Sequence, residues 1–147
     1  NDNKGSKDVV FNDIHLPHRN NTFKSIFYGK GGAVSVNQNL IPIEKRKAQA
    51  LINLVGLDKN PSHPDYKTKD NRWSRRKTAW ELAERYLKKY NQIPFAPYII
   101  VDLAIGYGFW SVWMEVFKNI IPVRDALIND FHSYTYKNCQ IKDVNRT

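Results

Sequence analysis

The sequence predicts a mainly α-helical protein, and three observations carry that expectation. Residues 43–56 and 74–90 set apolar side chains at helical spacing among good helix formers. Residues 97–119 are apolar almost throughout, and residues 123–136 form a fourth helical stretch beyond Pro122. Strand signals are confined to a short β-hairpin over residues 22–36.

Taken in order, residues 1–20 (NDNKGSKDVVFNDIHLPHRN) are polar with scattered apolar side chains and read as an extended arm. The chain opens on Asn1 rather than Met, as expected of a processed protein or a fragment. Its first ten residues lack the apolar core of a secretory signal. Thr22–Tyr28 is rich in β-formers, Gly29–Gly32 (GKGG) is a turn signal, and Ala33–Val36 is short enough to return along it. Ile43–Val55 follows as a helix, with Gly56 where a C-terminal stop belongs. Residues 57–73 hold two prolines and many polar residues and read as a loop. Ser74 is placed to cap the next helix, whose apolar face is Trp80, Ala83, Leu87 and Tyr90. The prolines of Asn91–Pro97 end it, and Pro97 suits the first helical position of the third helix. In the last helix Val123, Ala126, Leu127 and Phe131 share a side. Three regions result: arm and hairpin (1–42), a basic helical region (43–92), and an apolar helix with closing helix and tail (93–147).

Charge is the most informative bulk property. The 147 residues carry a net charge of +9, which suggests an anionic partner: nucleic acid, an anionic lipid surface or an acidic protein. Residues 1–92 hold 18 Lys+Arg against 9 Asp+Glu, whereas residues 93–147 hold 5 against 5. The whole excess therefore lies upstream of the apolar segment.

From Phe95 to Phe117 only Asp102 and Glu115 are charged. An α-helix of roughly 20 residues crosses a hydrocarbon core about 30 Å thick, so the length fits a single transmembrane span. Lys88 and Lys89 on one flank and Lys118 on the other could snorkel, and Tyr98, Trp110 and Trp113 lie where interfacial aromatics belong. Asp102 would then be an intramembrane polar contact, paired with another chain, and Gly106 and Gly108 would let a helix approach closely. A buried core helix fits the same composition. Apolar residues surround the whole circumference, so periodicity does not separate the two readings.

Catalytic patterns are missing. His15 and His18 have metal-pair spacing, but neither His63 nor His132 completes a set, and Cys139 is the only cysteine. Asp102 and Glu115 would lie nearly 20 Å apart along one helix, too far to work as a carboxylate pair. GKGG lacks the Lys-Ser or Lys-Thr pair of a phosphate-binding loop. No enzyme activity, metal or cofactor is expected. The best binding signal is the basic cluster Arg72, Trp73, Arg75, Arg76 and Lys77, extended by Lys88 and Lys89. It could lie along phosphates with Trp73 stacking on a base, face anionic headgroups, or simply decorate a solvated helix start.

Two functions are expected from these features. The first is a non-catalytic accessory subunit of a multisubunit membrane complex. It would be anchored by the helix near 97–119 and packed on partner subunits through its basic N-terminal region. The positive-inside rule would put that region on the matrix side of a mitochondrial inner membrane. The second is a soluble basic helical protein, organellar or cytoplasmic, that binds RNA in the manner of a ribosomal accessory protein.

Overall fold

The computed structural model describes residues 13–17 and 20–130. Most of the predicted arm lies outside them, as do His18, His132, Cys139 and residues 131–136 of the last predicted helix.

The described chain is mainly helical with a small antiparallel hairpin. Thr22–Ser25, expected as the first half of a strand, is instead a single helical turn, α1, which leads into β1 (Ile26–Gly29), and β1 pairs with β2 (Ala33–Val36). Register runs from Ile26 opposite Val36 to Gly29 opposite Ala33. The GKGG turn between the strands is tight because Gly31 and Gly32 take positive φ (69° and 73°), a region open to glycine. Helix α2 (Pro42–Val55) begins with proline in its first turn and ends on Gly56 in the left-handed conformation. The hairpin residues Ile26 and Val36 pack on its buried face of Ala48, Leu51 and Ile52.

Helix α3 (Arg72–Lys88) starts two residues before the expected cap. Its N-cap is Asn71, which makes no side-chain cap bond, and the Asp70 carboxylate just before it accepts the Arg72 backbone N–H at 3.0 Å. The Ser74 hydroxyl instead donates to the Asn71 carbonyl. α3 crosses the molecule and buries Ala79, Trp80 and Ala83.

The continuous helix expected over 97–119 is two helices, α4 (Ala96–Tyr107) and α5 (Trp110–Phe117). Gly108 (φ 74°) and Phe109 (φ 60°) are consecutive positive-φ residues, and two such residues cannot continue a right-handed helix. Two indoles hold the break. Trp113 Nε1–H donates to the Gly108 carbonyl at 3.0 Å, and Trp110 Nε1–H donates to the Leu127 carbonyl at 2.9 Å. Among the described residues no helix is long and apolar enough to cross a membrane. Trp110 and Trp113, expected as interfacial aromatics, are buried.

Helix α6 (Ile121–Asp130) carries Pro122 in its first turn instead of starting after it, since proline's missing N–H is no loss there. Val123 and Leu127 complete a core formed with Ile100, Ala104, Trp110, Trp113, Met114 and Phe117. Phe23 of α1 enters that core, its ring edge-on to Trp110 at 5.6 Å. The N-terminal turn is thereby tied to the C-terminal helices.

Candidate functional site

Contiguous in sequence, the basic cluster at the start of α3 disperses in space. A helix advances 100° per residue, so its side chains leave in different directions. Arg72 pairs with Asp70, Nη2 to Oδ2 at 2.5 Å, and Nη1 donates to the Val55 carbonyl at 2.7 Å. The Arg72 hydrogen bonds hold the Asp70 carboxyl down at about 2. Arg76, one turn on, is 2 % exposed. Its Nε donates to the Gly32 carbonyl and its Nη2 to the Leu57 carbonyl, both at 2.6 Å. Burial lowers its pKa. These two arginines clamp the hairpin turn and the start of the 57–71 loop onto α3. Lys77 lies 5.5 Å above the Trp73 ring and 3.7 Å from Glu81, so one face of the ring is already occupied by a cation.

Arg75, Lys88 and Lys89 remain on the surface. Arg75 belongs to a row on α3 that continues through Thr78, Leu82 and Arg85 to Lys89, at steps of three and four. This row borders α4 at both ends. Leu82, Arg85, Tyr86 and Lys89 line a groove of about 370 Å³ with Ile93 and Ile99. At the other end Ser74, Arg75 and Thr78 line a groove of about 320 Å³ with Gly106 and Tyr107. The two helices therefore run antiparallel, with cations beside the start and the end of α4.

The outward face of α4 is apolar except for Asp102 and Gly106. Phe95 is 79 % exposed, Tyr98 65 % and Ile105 52 %, and Ile99 adds to the same stripe. Asp102 lies on this exposed face, one turn from Ile99 and Ile105. Side chains of the opposite face, Ala96, Ile100 and Ala104, are buried in the core. This explains the uninformative periodicity: α4 has one apolar face packed and a second one open. The signal for the open face lay in the spacing of Phe95, Tyr98, Ile99 and Ile105. It was masked by the buried residues between them.

His15 Nε2 meets Glu44 Oε2 at 2.5 Å, an internal pairing that fixes residue 15 to α2. Among the described residues no group of three or more His, Cys, Asp or Glu could hold a metal ion. The chain matches no family model, no curated protein and no solved structure. The surface geometry is thus the whole basis for a functional reading.

Proposed function

We propose that the protein is a non-catalytic accessory subunit of a multisubunit membrane complex, attached through its apolar C-terminal region and packed on partner subunits through its basic N-terminal region. One observation carries this reading: the exposed apolar face of α4, where Phe95, Tyr98 and Ile105 are all more than half exposed. Exposed large apolar side chains gathered on one helix face, here on either side of Asp102, favour a protein or membrane contact. At 1.5 Å per residue the 12 residues of α4 reach about 18 Å, short of a core about 30 Å thick. The attachment proposed for α4 is therefore along the bilayer surface. The charge excess in residues 1–92 suits an anionic membrane surface, and the membrane proposed is the mitochondrial inner membrane with this part on its matrix side.

Fractionation of the native source tests this. The protein is expected to sediment with membranes and to leave them in alkaline carbonate. After mild detergent it should migrate on a native gel far above its own 17.2 kDa, with other subunits. Recovery in the soluble fraction, bound to RNA with an affinity that falls steeply with salt, would overturn the reading and put the RNA-binding alternative in its place.

A further inference from the structure

We infer that the outward face of α4 lies flat on an anionic lipid surface, with Arg75 and Arg85 of α3 and Lys89 at its C-cap reaching the headgroup phosphates beside it. The inference rests on the membrane reading above and names the partner of that face.

Three features favour a lipid surface as occupant. The first is the separation of apolar and basic groups. Tyr98, Ile99 and Ile105 lie on the outward face of α4 around Asp102, with Phe95 exposed at its N-cap, whereas the cations stand on α3 and its C-cap, at both ends of the seam. An in-plane helix needs this arrangement, with apolar side chains below the headgroups and Lys or Arg level with them. The second is the presence of Tyr98 and Tyr107, whose ring-and-hydroxyl character suits the boundary between acyl chains and water. The third is Phe95. Its backbone is held left-handed (φ 54°) at the start of α4, although its side chain is 79 % exposed. A phenyl ring in that position buries almost nothing in the fold and is sterically disfavoured there, so its use lies outside the fold. Asp102 opposes the arrangement, being an exposed carboxylate on the stripe itself.

Co-sedimentation of the full chain with vesicles tests the inference. Vesicles of phosphatidylcholine with phosphatidylserine are compared with phosphatidylcholine alone. Binding is expected to the anionic vesicles only, and it should weaken with added salt. Each basic residue near such a surface changes affinity by roughly five-fold, so the R85A/K89A double variant should bind roughly 25-fold more weakly. Asp102→Asn should bind roughly five-fold more tightly by the same argument. Phe95→Gly is the control for folding: its thermal midpoint should hold or rise, because glycine accepts positive φ, while vesicle binding falls. Equal binding to both lipids, no vesicle binding, or binding untouched by Phe95→Gly would each overturn the inference. If the protein co-migrates with a membrane complex yet ignores vesicles, the accessory-subunit reading stands and this face is a subunit contact. Vesicle binding without any complex would give the reverse result. RNA binding sensitive to R85A/K89A, with no vesicle binding, would transfer the basic row to a nucleic acid and overturn the lipid assignment.

Discussion

Arg76 joins three segments that are distant in sequence: the hairpin turn at Gly32, the loop at Leu57, and α3 itself. Arg76→Met would leave two carbonyls without their charged donors, at an expected cost of about 3 kcal/mol in urea unfolding. Gly32 is constrained from the other side. A Cβ there would lie 2.9 Å from backbone atoms of Arg76 and Lys77, and φ is +73°. Gly32→Ala is therefore expected to lose about 2–3 kcal/mol, and a neutral result would show that the turn can lift off α3. Asp70 gives a pH signature. Its carboxyl sits at about 2 in the folded protein against an ordinary 3.8. A depressed carboxyl contributes stability that is complete above the unfolded value and is lost as pH falls toward the folded one. Wild type should exceed Asp70→Asn by about 1 kcal/mol at neutral pH. That gap should close between about pH 4 and pH 2, as followed by denaturant titration at each pH.

At the scale of elements, the junction of α4 and α5 is the feature most open to direct test. Gly108 (φ 74°, ψ −161°) has a backbone conformation that is essentially glycine's alone. Gly108→Ala should destabilise the protein by about 1–3 kcal/mol although its Cβ would meet nothing nearby. A variant that gained helical circular dichroism and stability would show instead that the segment prefers one continuous helix. The two indole hydrogen bonds from Trp110 and Trp113 oppose that outcome, since both would have to break for the helices to merge. Both glycines were visible in the sequence, where they suggested close helix contact. Which one would turn the chain depended on these bonds, of which the one from Trp110 to Leu127 reaches across to α6.

Across the whole molecule, Phe23 couples the N-terminal turn to the C-terminal core. It is 2 % exposed and packs among residues of α3 to α6. Phe23→Ala should cost about 3–4 kcal/mol. Far- and near-ultraviolet circular dichroism should lose signal at one shared, lowered denaturation midpoint. Two separated transitions would show that hairpin and helices unfold independently. The same scale governs charge. The net +9 suggested a broad anionic contact, yet Arg72 and Arg76 serve internal carbonyls and Asp70. Of the cluster, Arg75, Lys88 and Lys89 stay exposed, and Arg85 lies between them along the α3 row.

The sequence by itself determined the mainly helical class, a hairpin within residues 22–36 and the approximate extent of α2 and α3. These depend on local chemistry: proline at helix starts, Gly56 at a stop, and apolar spacing along α2 and α3. It also carried the split between a basic first part and a neutral second part. Only the tertiary structure decided that residues 97–119 break at Gly108, that Arg76 turns inward while Arg75 stays out, and that α4 leaves one apolar face uncovered. Each of these is settled by burial against segments far along the chain. A helix apolar on every side has no direction until its neighbours cover one of them.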